Sequence, residues 1–282
     1  MNEEALLAYR VRQLLHTTKP GFHRGAMSGS TGLFRDHVPF SRHPETRRID
    51  LRATLRDPFG DIHVRRFTPK CAVDVYALVD LSASMAYQGW ASRQELVRDL
   101  CIALARAAYR YGDAFGMLGA DTKIHEDFTI KPSRRPGLET LIIDKFDRVP
   151  SAGANASGLR EALPYLAGHA KLVFLLSDFR FPLAFTDRLL EDLGRHDIVP
   201  IVIEDTAEHN NLPSWGLMKL RDLETGAERL LFLRPSLRKK LIDAATERKD
   251  ALHRLFLRHR QAPVYVTDRL DIDAVSQQLM ET

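Results

Sequence analysis

Two apolar runs, each stopping at an aspartate, set the framework for this chain. Residues 73–79 read Val-Asp-Val-Tyr-Ala-Leu-Val and lead into Asp80; residues 172–177 read Leu-Val-Phe-Leu-Leu-Ser and lead into Asp178. Short β-branched runs of this kind belong to strands buried on both faces of a parallel sheet. Helical patterns fall between and after them, at 92–111, 138–147, 157–167, 186–194, 236–259 and 271–280. Ser92 is placed to cap the first of these, with Glu95 three residues on completing a capping box. Further strands are expected at 62–67, 114–119, 198–203 and 263–266, with another at 123–128 after a tight turn at 120–122. Residues 217–222 and 229–233 flank Glu224-Thr-Gly226 and predict a hairpin. Strands alternating with helices predict an α/β fold, a mainly parallel sheet with helices on both faces.

The first seventy residues differ. Residues 3–16 group Leu6, Leu7, Val11, Leu14 and Leu15 on one side of a predicted helix. Residues 18–60 are rich in Gly, Pro, His and Arg and predict a loop-dominated segment. The expected division is therefore 1–70 for a helix and loop-rich segment, and 71–282 for the α/β domain, with a hairpin insertion at 212–234.

At 282 residues, 44% hydrophobic and 28% charged, the chain can bury a large core and has the balance of an ordinary soluble domain. No apolar run is long enough to cross a bilayer, and the start has no apolar signal core, so a cytoplasmic protein is expected. Cys71 and Cys101 are the only cysteines and lack metal-type spacing, which predicts reduced, buried thiols. The net charge is +4, yet the basic residues are scattered without interleaved aromatics, so nucleic-acid binding is the lesser reading. Arg47, Arg48, Arg52, Arg56, Arg65 and Arg66, with Asp50 among them, fit either a solvated ion-pair face or a docking surface for an acidic partner.

Ligands of open parallel sheets bind beyond the carboxyl ends of the strands, where strand order reverses. If the strands ending at Asp80 and Asp178 are neighbours, their carboxylates share one crevice. Ser82 and Ser84, spaced by two, can turn both hydroxyls toward it. Two carboxylates and two hydroxyls suit a hard cation, Mg²⁺ or alternatively Mn²⁺ or Ca²⁺. The competing chemistry is Mg²⁺-dependent phosphoryl transfer from a strand-end aspartate. That chemistry needs a second acid two residues on, where Ser82 stands, and the chain has no G-x-S-x-G, P-loop or H-E-x-x-H motif. The eleven histidines lack ligand spacing and are read as surface or loop residues. A non-catalytic binding role is expected.

Residues 79–85, Val-Asp-Leu-Ser-Ala-Ser-Met, resemble the metal-ion-dependent adhesion-site motif of von Willebrand factor A domains, and residues 175–178 resemble their later aspartate motif. Arg47-Arg-Ile-Asp50, Leu55-Arg56 and residues 63–67, then Asn211-Leu-Pro213 and residues 221–226, are similar to segments of a bacterial family of such domains of unknown function, DUF58. The resemblance covers most of residues 25–260. It implies a von Willebrand factor A-type, Rossmann-like sheet and a metal held by Asp80, Ser82, Ser84 and Asp178. It also implies an adaptor working with a MoxR-type AAA+ ATPase in the maturation of a client protein, including metal or cofactor insertion; one branch serves methanol dehydrogenase assembly. Two departures stand out. Leu51 occupies a tryptophan position, and Ala154 occupies the position of a threonine ligand. Asn155, Ser157 or water can fill that gap, and weaker metal binding is expected.

Overall fold

The chain divides into two units, residues 11–73 and a larger one of residues 1–10 with 74–282. The computed structural model describes residues 6–12, 20–24, 33–68, 70–148, 155–207, 215–221 and 228–281. In the smaller unit, β1 (Pro20–Arg24) pairs antiparallel with β4 (Lys70–Cys71), and β2 (Leu33–Pro39) pairs antiparallel with β3 (His63–Thr68). Between β2 and β3 lie a 3-10 turn (Thr46–Arg48) and α1 (Leu51–Arg56). The Asp50 carboxylate caps α1, accepting from the backbone N–H groups of Arg52 at 3.0 Å and Ala53 at 3.2 Å. This segment is more regular than the loop expected over 18–60. The strand β2 escaped notice because its pairing is polar: Asp36 stands opposite Arg66, whose Nε donates to it at 2.7 Å. No apolar alternation betrays such a strand.

The helix expected over 3–16 is absent from its described part, 6–12. Leu7 and Tyr9 are buried instead, two residues apart as in extended chain. The Tyr9 hydroxyl donates to Asp113 at 2.6 Å and its ring meets Phe174 edge-on, so tertiary anchoring overrides the local pattern. The remainder of that stretch lies outside the described residues.

The larger unit is built on β5 (Asp74–Asp80), β6 (Ala114–Ala120), β7 (Ile130–Ser133), β8 (Leu172–Ser177) and β9 (Asp197–Glu204). A hairpin of β10 (Gly216–Arg221) and β11 (Glu228–Leu233) follows, and β12 (Val264–Thr267) completes the sheet. The sheet order is β12-β9-β8-β5-β6-β7, parallel except for β7 at the edge. Among the described residues its α-helices of a full turn or more are α2 (Arg93–Tyr111), α3 (Leu138–Asp147), α4 (Leu183–Leu193), α5 (Pro235–Arg258) and α6 (Ile272–Glu281). This is the α/β arrangement expected from the sequence, a mainly parallel sheet with helices on both faces.

Every residue of β5, β6 and β8 is buried, as helices on both faces require. On one face Tyr76, Leu78, Val173 and Leu175 join Leu159, Leu189 and Phe256 in a single cluster. The opposite face is covered by α2, which packs on β5 and β6 and buries Leu96, Leu100, Cys101 and Leu104. Ser92 caps α2 by accepting from the Glu95 N–H at 3.3 Å, and Gly112, at φ +71°, ends it in the left-handed conformation that glycine adopts without strain.

Two expectations fail here. Residues 123–128 form no strand; the antiparallel edge is β7, further on. Asp121 accepts from the Lys123 N–H at 3.1 Å and pairs with His125 at 2.9 Å, which bends the chain as it leaves β6. Residues Ser157–Leu166 are 3-10 rather than α-helical; Pro164, inside the helix, has no N–H to donate.

Candidate metal centre

Strand order reverses at β5. The chain runs from β5 to β6 and β7 on one side, then returns to place β8 on the other. Val79 stands opposite Leu176, so Asp80 and Asp178 leave neighbouring strands at the same end. All four expected ligands meet there. The Asp80 carboxylate accepts from the Ser82 N–H at 2.9 Å, Ser82 Oγ lies 3.2 Å from Ser84 Oγ, and Ser84 Oγ donates to Asp178 at 3.1 Å. Asp80, Ser82, Ser84 and Asp178 are each no more than 8% exposed.

Two members of the cluster were not identified from the sequence. Ser177 Oγ donates to Asp80 at 2.5 Å and accepts from the Phe179 N–H at 2.9 Å. Arg93, 1% exposed, sends Nη1 to Asp178 Oδ2 and to the Ser84 carbonyl, both at 2.8 Å. A signal for it existed. Arg93 sits four residues before Val97 and seven before Leu100, on the apolar stripe of α2 where a charge must find a buried partner.

The electrostatics follow from burial. The Asp80 carboxyl is pushed up to about 6, first by desolvation and then by the charge of Asp178, against hydrogen bonds from Ser177 and Ser82. Burial also raises Asp178, opposed by Arg93 and Arg180. Two carboxylates and one guanidinium leave the cluster a formal charge of −1. Among the described residues, no three His, Cys, Asp or Glu side chains converge as ligands. The donors are two carboxylates completed by serine hydroxyls. Such an all-oxygen set, with its carboxylates repelling one another, fits a hard divalent cation.

The backbone beyond Asp178 is strained. Phe179 has φ +52°, a conformation uncommon for non-glycine residues. It is held by Arg248 of α5, whose Nη2 donates to the carbonyls of Phe179 at 2.9 Å and Phe181 at 2.6 Å, and by Phe256 stacked edge-on at 5.0 Å. Beside it, a cleft of about 320 Å³ opens between α5 and the carboxyl ends of β8, β9 and β12. Asp178, Arg180, Leu252 and Tyr265 line it, with Lys249 paired to Glu204 at 2.8 Å on its wall.

The auxiliary residues behave differently. Asn155 accepts from the Ser157 N–H at 2.9 Å, and Ser157 Oγ donates to the Thr122 carbonyl at 3.3 Å. Both side chains are thus engaged around the turn after β6, and no hydrogen bond joins them to the Asp80–Asp178 cluster among the described residues. Ala154 lies outside the described residues.

The arginines of 47–66 differ in their surroundings. Arg48 is buried, paired with Glu45 at 3.0 Å and set over the Phe67 ring. Arg65 approaches Asp50 at 3.7 Å and Arg66 pairs with Asp36, while Arg47 and Arg56 are exposed. Among the histidines, His37, His63, His125, His169 and His259 pair with aspartates. His196 departs from the surface expectation: it is 1% exposed, its Nδ1 accepts from the Lys171 N–H at 3.3 Å, and burial lowers its pKa to about 4.

The chain is similar to several known proteins. The uncharacterized protein Rv1480 of Mycobacterium tuberculosis is 27% identical over 246 residues, covering 85% of this chain and 75% of its own length. Mb1516 of Mycobacterium bovis, also uncharacterized, matches with the same identity and coverage. Among solved structures, the conserved hypothetical protein BatB from Bacteroides thetaiotaomicron is 12% identical with a TM-score of 0.45, covering 74% of this chain and 98% of its own. The SpRpn10 VWA domain is 12% identical with a TM-score of 0.39, covering 75% and 95%. The family model described as a protein of unknown function, DUF58, matches residues 41–251, and this chain belongs to that family.

Proposed function

We propose that this chain is a non-catalytic, metal-dependent protein-binding module. Asp80, Ser82, Ser84 and Asp178 hold a divalent cation, Mg²⁺ or alternatively Mn²⁺ or Ca²⁺. When bound, that ion supplies an electrophilic position for a carboxylate of another protein. The observation that carries the reading is the buried run of contacts from Asp80 through Ser82 and Ser84 to Asp178, at the reversal of strand order. The adjoining cleft, mostly apolar, suits the side chain next to that carboxylate.

The partner we propose is a MoxR-type AAA+ ATPase, with the chain acting as its adaptor in maturing a client protein, methanol dehydrogenase in one version. Family membership supports this assignment. The test uses the purified chain and the MoxR-type ATPase of the same genome, mixed in Mg²⁺ and in EDTA. Co-elution in Mg²⁺ that disappears in EDTA and in Asp80→Asn supports the proposal. Co-elution indifferent to both removes the metal from the interaction, and no complex in any condition removes the ATPase.

A further inference from the structure

We infer that the smaller unit carries a second docking surface, on α1 and the turn after it, that fits an acidic protein with an apolar contact patch. Leu51 and Leu55 lie four residues apart on one side of α1, 70% and 85% exposed. Phe59 is 89% exposed and Ile62 45%. Single exposed apolar residues are ordinary, but four large ones within twelve residues mark a contact surface.

The patch is held rigid. Asp50 caps α1, and Thr54 Oγ1 accepts from the His63 N–H at 3.0 Å, tying the helix to β3. Asp57 accepts from the N–H groups of Phe59 at 3.1 Å and Asp61 at 3.0 Å, and His63 Nε2 lies 2.9 Å from it. Gly60, at φ +74°, completes the turn. Phe59 therefore projects from a pinned loop, and docking it costs little ordering entropy. A rigid aromatic set among aliphatic side chains has the character of an interface anchor.

Charge identifies the partner. Arg47, Arg52 and Arg56 are exposed, and their side chains make no ion pair among the described residues. Residues 11–73 contain twelve Lys and Arg against five Asp and Glu, a net of +7, while the whole chain is +4 and the remainder therefore −3. Free cations around an apolar centre call for carboxylates around the complementary pocket. A second copy would present the same basic rim and be repelled. An anionic membrane would meet Asp57 and Asp61 on either side of Phe59, and α1, with six residues, is too short to lie along it. Nucleic acid would leave Leu51, Leu55 and Phe59 against phosphates.

The test uses the full chain in EDTA, so that its outcome is independent of the Asp80 centre and of the proposed function. The probe is a synthetic amphipathic helical peptide with Leu and Phe on one face and Glu on the other, read by fluorescence anisotropy against a Lys-for-Glu control. The Glu peptide should bind more tightly than the control. Leu55→Ser and Phe59→Ser should each weaken it about five-fold or more, the loss of a partial anchor. Arg52→Glu with Arg56→Glu should weaken it about ten-fold and flatten its salt dependence. All four positions are exposed, and unchanged melting of the variants confirms that folding is intact. Equal binding of the two peptides, or variants that bind as the wild type does, overturns the inference. So does binding to phosphatidylglycerol vesicles without binding to the Glu peptide, or self-association that Phe59→Ser abolishes.

Discussion

Arg93→Met removes the guanidinium that offsets the Asp80–Asp178 pair while keeping an apolar stem on α2. In the wild type Arg93 is 1% exposed and its Nη1 bonds both Asp178 and the Ser84 carbonyl at 2.8 Å. Breaking a buried pair by removing one partner leaves an uncompensated charge, at a cost of about 3–5 kcal/mol. Urea unfolding in EDTA, followed by far-ultraviolet circular dichroism, should show a loss of that size. The substitution also changes the formal charge of the cluster from −1 to −2, so Mg²⁺ or Mn²⁺ should stabilise the variant more than the wild type. At a free ion concentration one hundred times Kd, binding restores about 2.7 kcal/mol. The double variant Arg93→Met with Asp178→Asn removes both charges and should lose less than the sum of the single variants, with coupling of about 2 kcal/mol. A loss below about 1 kcal/mol in EDTA, with additive single variants, would refute this assignment of the pair.

Three further outcomes are expected. Gly158→Ala would set a Cβ 2.5 Å from the Lys123 backbone, which cannot swing aside as a side chain can; calorimetry should record a loss of about 1–3 kcal/mol, and an unchanged melting temperature would contradict the packing. Neutral His196 is favoured by the fold, with its pKa lowered to about 4, so its contribution is intact above the unfolded value near 6.5 and is lost as pH falls from there toward 4. Denaturant titrations at pH 7 and pH 4.5 should expose a His196-dependent loss on the order of 2 kcal/mol, and imidazole NMR showing titration near 6.5 would contradict the burial. Cys101 is fully buried and its thiol is pushed up by desolvation; it should resist a thiol reagent at pH 8 until the protein unfolds, and rapid reaction of the native protein at Cys101 would overturn that placement.

The sheet was legible because β5 and β8 are buried on both faces and so are apolar at nearly every position. Asp80 and Asp178 stood out as the polar residues that terminate those runs, and Ser82 and Ser84 followed from their spacing. Ser177 was hidden inside the apolar run it ends, and its hydroxyl acquires meaning only through Asp80 on the neighbouring strand. Arg93 was readable in principle, as a charge on the buried stripe of α2, but its partner is 85 residues away. The strand β2 and the extended residues around Tyr9 depend on cross-strand ion pairs and on a hydroxyl bonded to Asp113, contacts that leave no periodic trace. The turn expected after β6 is present, but the strand expected at 123–128 is not: Asp121, His125 and the Lys123 N–H interact within one bend, whereas the apolar spacing of Ile124 and Phe128 imitates a strand.

Calorimetric titration of Mn²⁺ into the purified chain and into Asp80→Asn tests the metal centre most directly. Asn keeps the shape of the side chain and removes its charge, and Asp80 is joined to the cluster through Ser82 and Ser177. The wild type should bind one ion per chain, and the variant should bind at least about ten-fold more weakly, a difference of roughly 1.4 kcal/mol. Saturable binding that is equal in both proteins, or no binding to the wild type, would contradict a metal held by Asp80, Ser82, Ser84 and Asp178.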